Sequence, residues 1–122
     1  MSDAQIFGIK SSQGTRAAER FFKERRVPVH IVDLKVKPMA RGEINRFIER
    51  FGGLPALLDK EGKPYVDGGL AYLRVSESEL LARIEKEPAL LRLPLVRCGN
   101  RFSVGRDEDA WKAMATEAAR VR

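Results

Sequence analysis

The apolar positions change period several times along the chain, and each change predicts an element. Gln5-Ile6-Phe7-Gly8-Ile9 is a short, continuous apolar run of strand type. From Gln13 to Arg26 the period becomes helical, with Ala17, Ala18, Phe21 and Phe22 on one stripe. Pro28 to Leu34, PVHIVDL, is rich in β-branched residues and too short for a helix with its own core face, so it predicts a second strand. Strand, helix and strand within about 30 residues make a βαβ unit, for which a parallel pair and a right-handed crossover are expected.

The middle of the chain reads as helical. Ile44, Phe47, Ile48 and Phe51 fall at helical spacing, and Gly52-Gly53 supplies the stop. Leu54 to Asp67 reads as a loop-rich passage, with Glu61-Gly62 as a turn and Pro64 breaking regular structure. Ser76-Glu77-Ser78-Glu79 predicts a capping box ahead of Leu80, Leu81 and Ile84, and Pro88 turns the chain out of that helix. Leu93 to Cys98 and Arg101 to Val104 then read as two strands joined by Gly99-Asn100, both of which tolerate positive φ in a tight hairpin. Asp107 caps a last helix with Trp111, Met114, Ala115 and Ala118 on one stripe and Lys112, Glu117 and Arg120 outside it. The sum is an α/β chain with a four-stranded mixed sheet: βαβ, a helical insertion over about 40–90, a β-hairpin and a C-terminal helix. That is the element order of the thioredoxin fold, in one domain spanning 1–122.

Composition narrows the chemistry. A chain of 122 residues, 43% hydrophobic and 33% charged, supports one real core. No apolar run approaches the roughly 20 residues of a membrane span, and the N-terminus lacks a secretory pattern, so a cytoplasmic location without a membrane partner is expected. A single cysteine, Cys98, allows no internal disulfide, and a single histidine, His30, leaves no His-rich metal constellation, so no metal is expected. Cys98 closes an apolar strand and reads as a small buried hydrophobe; His30 reads as a packed or edge residue. The net charge of +6 raises nucleic acid as a partner. Yet Arg16, Arg20, Lys23, Arg25, Arg26, Lys35, Lys37, Arg41 and Arg46 are interleaved with Glu19, Glu24, Glu43 and Glu49, the pattern of a solvated face, so no nucleic-acid partner is expected.

Between the first strand and the first helix lies GIKSSQGTR. Together with Leu34 to Glu43 (LKVKPMARGE), Leu57 to Gly62 (LLDKEG), Glu87 to Pro94 (EPALLRLP) and the Gly99 to Gly105 hairpin, it resembles, in the same order, the motifs of the arsenate reductase-like family. That family includes arsenate reductases, Spx-type transcription regulators and YffB-type proteins. The resemblance implies a nucleophilic cysteine in the loop, a basic residue in the first helical turn, and a cis proline beside the loop. Laid on this chain, Ser11 stands at the family's asparagine, Ser12 at its cysteine, Arg16 at its basic residue and Pro94 at its proline. The arginine that precedes the proline in the reductases is replaced by Leu93, with Arg92 one residue earlier, and Asp59 stands where a plasmid-type reductase has another arginine.

The substitution of sulfur by oxygen decides the expectation. A cysteine at a helix N-terminus becomes a thiolate near neutral pH because the dipole and the unpaired amides favour the anion. A serine there has neither that anion nor the redox ladder of sulfur, although Ser is a preferred N-cap in its own right. Ser11, Ser12, Gln13, Gly14, Thr15, Arg16 and Pro94 are therefore expected to form an anion- or ligand-binding loop, with the amides of Gly14 and Thr15 open to a small anion. The resemblance thus implies a monomeric thioredoxin-fold protein that has lost redox activity at the usual site. It would bind a small anion, a thiol or a protein partner there and need no cofactor. The alternative is a thiol-dependent oxyanion reductase using Cys98, with glutathione as co-substrate and glutaredoxin or thioredoxin; a further alternative is an Spx-like regulator.

Overall fold

The computed structural model describes residues 3–121; Met1 and Ser2, with which the N-terminal reading begins, and the side chains of Ala71, Arg120 and Val121 lie outside the described residues. The chain divides into two compact units, Met1–Asp33 with Leu93–Arg122, and Leu34–Arg92. The first unit carries the sheet. Strand β1 (Ala4–Gly8) leads through helix α1 (Gln13–Glu24) to strand β2 (Val29–Asp33), which pairs parallel to β1 with Ala4 against Val29 and Gly8 against Asp33. After the second unit, β3 (Leu95–Cys98) pairs antiparallel to β1 and β4 (Arg101–Val104) antiparallel to β3. The four-stranded mixed sheet therefore has the order β2-β1-β3-β4, as the element order predicts.

The core of this unit follows the two helical stripes. Ala18, Phe21 and Phe22 of α1 join Trp111, Met114, Ala115 and Ala118 of α5 (Glu108–Val121) and Ala4, Ile6, Val96 and Cys98 of the sheet in one cluster. Phe21 lies with its ring centroid 5.6 Å from that of Trp111, an aromatic separation that adds to the area buried. The buried indole is not left unsatisfied: Trp111 Nε1 donates to Ser103 Oγ at 3.2 Å. Asp107 caps α5 by accepting from Ala110 N at 3.1 Å. In the hairpin only Gly99 takes a positive φ, 61°; Asn100 does not, so the turn needs one permissive residue where two were expected.

The second unit contains α2 (Arg41–Phe51), α3 (Lys63–Asp67), α4 (Glu77–Lys86) and three short 3₁₀ turns, Leu54–Leu57, Leu70–Tyr72 and Pro88–Leu90. The passage expected to be loop holds a 3₁₀ turn and a short helix. Pro64 opens that helix: its locked φ suits the first turn, where its missing N–H would have had no partner. Ser76 Oγ caps α4 by accepting from Glu79 N at 3.1 Å, the first half of the expected box. Leu34, Met39, Ile44, Leu81, Ile84 and Leu91 are buried, and all of them line one apolar cleft.

The two longest helices of the N-terminal half end differently. At α2, Gly52 takes the left-handed conformation, φ 85°, that the sequence signal predicts. At α1, Arg26 takes it, φ 60°, with Arg26 N donating to Lys23 O and Val27 N to Phe22 O, the two bonds of a Schellman ending. Phe22 and Val27 supply its apolar contact within the core cluster. A Cβ in this conformation costs about 1–2 kcal/mol, which glycine avoids. Arg26→Gly is therefore expected to be about 1 kcal/mol more stable than Arg26→Ala in urea unfolding; equal midpoints and slopes would show that the backbone relaxes there.

Candidate functional site

The loop after β1 closes on itself before α1 begins. Ser12 N donates to Ile9 O at 3.1 Å, and Ser12, extended at φ −77° and ψ 122°, is the N-cap: its Oγ accepts from Thr15 N at 3.2 Å and its carbonyl from Arg16 N. The amide of Thr15, expected to be open, is thus taken by the serine hydroxyl, because that is the geometry of a capped helix. The open donors are one and two residues earlier: the N–H groups of Gln13 and Gly14 have no partner among the described residues. No acidic residue occupies the first turn of α1, while Lys10, Ser11 and Arg16 are exposed around it. A helix start without a carboxylate, flanked by two cations, leaves the positive end of the dipole uncompensated.

Two close approaches hold this loop in place. A Cβ on Gly14 would fall 2.7 Å from Leu93 O and 3.1 Å from Pro94 Cδ, so the first turn of α1 lies directly on the Leu93–Pro94 peptide, which is cis. Pro94 is buried and its carbonyl accepts from Gly105 N at 3.0 Å. A Cβ on Gly8 would collide with Thr15 Oγ1, so Thr15 packs onto the last residue of β1. Ser11, Ser12, Gln13, Gly14, Thr15, Arg16 and Pro94 therefore share one place in the fold.

Thr15 is the residue the sequence understates. It is only 4% exposed, yet its hydroxyl has no hydrogen-bond partner among the described residues. Burying a hydroxyl without a bond costs about 1–3 kcal/mol, and such a group in a native fold calls for a reason. Its spacing three residues after Ser12 was the only signal of the position, and spacing does not report satisfaction.

Cys98 lies elsewhere. In the β1–β3 register it sits opposite Ala4, whereas Leu95 sits opposite Phe7 near the loop. From Ala4 to Gly8 the strand runs about 13 Å before the loop begins. The thiol belongs to the hydrophobic cluster, and burial, then the negative charges of Glu117 and Asp3, push its pKa up. His30 is exposed on β2, as an edge residue. Arg92 and Asp59 belong to the other unit, where Arg92 N donates to Leu57 O and Asp59 N to Leu90 O, each at 2.8 Å. No helix among the described residues is long and apolar enough to cross a membrane.

Comparison with known proteins gives the family and the fold. Residues 7–114 match the ArsC family. Spx global transcriptional regulators from two strains of Streptococcus pneumoniae are 25% identical to this chain over 116 residues, covering 94% of it and 87% of their own length. Among solved structures, the YFFB protein superposes with a TM-score of 0.76 at 20% identity, covering 92% of this chain and 98% of that one. An arsenate reductase from Vibrio cholerae also gives 0.76, at 16% identity, over 93% and 98%. The chain belongs to the ArsC family, and its fold is the family's thioredoxin-like one.

The environment of Cys98 sets a measurable pH dependence. Burial favours the protonated thiol in the folded state, so its folded pKa lies above the unfolded one, about 8.5. The stability it contributes is complete below that pH and is lost as pH rises through the folded value. Unfolding free energy measured between pH 7 and 10 is expected to fall less steeply in Cys98→Ala than in the natural protein. Iodoacetamide should label Cys98 slowly until denaturant is added.

Proposed function

We propose that this member of the ArsC family is a binding protein that holds an anionic group at the start of α1 and performs no redox turnover there. The single observation that carries the reading is the state of Ser12. Its hydroxyl is committed as the helix cap, while the neighbouring Gln13 and Gly14 amides and the exposed Lys10 and Arg16 remain around the same turn. Amides at a helix start and an uncompensated dipole favour a small oxyanion or a carboxylate.

The chemistry that a family reductase would add at this position requires a thiolate. Serine supplies neither an anion near neutral pH nor an oxidisable atom. The alternative of a reductase working through Cys98 with glutathione meets two obstacles, the β1–β3 register that separates the thiol from the loop and a pKa raised rather than lowered. The relationship to Spx regulators supports a regulatory output through a protein partner, with the bound group as part of the contact or as its trigger.

Arsenate-dependent thiol oxidation, with glutathione and glutaredoxin or thioredoxin supplied, tests the redox half. The natural protein is expected to be silent, and Ser12→Cys to gain turnover; turnover in the natural protein that Cys98→Ser abolishes would overturn the proposal. Titration with arsenate, phosphate or sulfate, followed by amide NMR, tests the binding half. Shifts centred on Gln13 and Gly14 are expected, with binding weakened several-fold in Arg16→Gln; no shift at millimolar anion would remove the site.

A further inference from the structure

A groove of about 410 Å³, counted to its open mouth, runs where α1 lies beside α5. Ala17, Phe21 and Trp111 form its apolar lining, and two pairs of opposite charge stand around them: Arg20 with Glu24 on α1, and Arg106 with Glu108 where α5 begins. The groove starts where the anion loop ends. Ala17 lies one helical turn after Gln13 and Gly14. Arg106 follows Gly105, whose N–H donates to Pro94 O at 3.0 Å, and Pro94 Cδ is 3.1 Å from the place a Cβ on Gly14 would take. The first turn of α1, the cis peptide and Arg106 are therefore neighbours.

The cations between loop and groove are available. Arg16 and Arg20, four residues apart on one face of α1, are exposed and make no ion pair among the described residues. Arg106 Nε lies 3.8 Å from Glu108 Oε2 with both side chains 58% exposed, and so loose a surface pair gives way to a better partner at little cost. Glu24, by contrast, stands about 16 Å along α1 from Gln13. Positive charge thus gathers at the loop end of the groove, and carboxylate acceptors join it further along α1.

We propose that the anion held at the start of α1 is the phosphate of a nucleoside monophosphate, or of a ring-bearing organic phosphate of that size, whose body lies in the groove. The inference rests on the anion reading above and names its ligand class. The phosphate takes the Gln13 and Gly14 amides with Lys10 and Arg16, and the ring reaches the Phe21 and Trp111 lining. From Gln13 to Phe21 the helix rises about 12 Å, a length that phosphate, sugar and base in line can cover. Arg20 and Arg106 donate to the polar edge of the ring while Glu24 and Glu108 accept from it. A plain hydrocarbon body would cover these four charged groups without bonding them, which is unfavourable, and a free inorganic oxyanion would use none of them.

Titration of the full chain with inorganic phosphate, AMP, UMP and adenosine, followed by NMR, tests this. Both nucleotides are expected to bind at least tenfold more tightly than inorganic phosphate. Their shifts should include the amides of Ala17 and Phe21 and the indole N–H of Trp111 besides those of Gln13 and Gly14. Adenosine, lacking the phosphate, should bind at least tenfold more weakly than AMP. Arg106→Gln should lower the ratio of AMP to phosphate affinity several-fold, and Ala17→Leu, which fills the groove, should bring that ratio close to one; melting curves confirm that each variant is folded. Nucleotides that bind no better than phosphate, or that shift only the loop, would overturn the proposal and leave the anion reading standing. Adenosine binding as tightly as AMP would overturn it too, since the groove would then act without the loop. No shift with phosphate or either nucleotide would overturn both.

Discussion

The antiparallel register between β1 and β3 is the constraint on which the rest of the first unit depends. By placing Phe7 against Leu95 and Ala4 against Cys98, it brings the Leu93–Pro94 peptide to the end of β1 where the loop departs and sends the thiol to the other end. A slip of one residue would turn every β3 side chain to the opposite face and move Val96 and Cys98 out of the core they share with Trp111. Loop position, thiol burial and core composition are therefore one decision made by one ladder of hydrogen bonds.

On the proposed reading the loop is an anion cradle with Ser12 Oγ where the family's pattern has sulfur. The same feature that lowers the pKa of a cysteine, amides aimed at the start of a helix, remains when the nucleophile is gone, because it belongs to the backbone. Ser12 turns part of it inward by capping α1, and the free donors move to Gln13 and Gly14. Gly14 is indispensable for a different reason from its neighbours: its missing side chain lets the helix start touch the Leu93 carbonyl.

The far end of α1 shows the opposite economy. There a left-handed position is filled by Arg26 although Gly52 shows that the chain uses glycine for the same geometry elsewhere. Both ends of this helix thus carry features that stability alone does not explain, a buried hydroxyl without a bond at one and a strained arginine at the other.

Local patterning determined a great deal of this protein. The βαβ start, the α2 stop at Gly52, the serine caps at Ser12 and Ser76, the Gly99 turn and the Trp111 stripe were all legible, because each depends on residues within a few positions of one another. The helical content of 54–67 was not, since Pro64 breaks a helix from within and begins one from its first turn, and only the chain around it says which. The order of residues also placed Ser12 in the loop between β1 and α1, where the structure has it as the N-cap. It could not say that Cys98 lies at the far end of β1 from the loop, that Thr15 buries a hydroxyl against Gly8, or that Arg26 carries a left-handed backbone. Those are consequences of register and close approach, which only the folded chain decides.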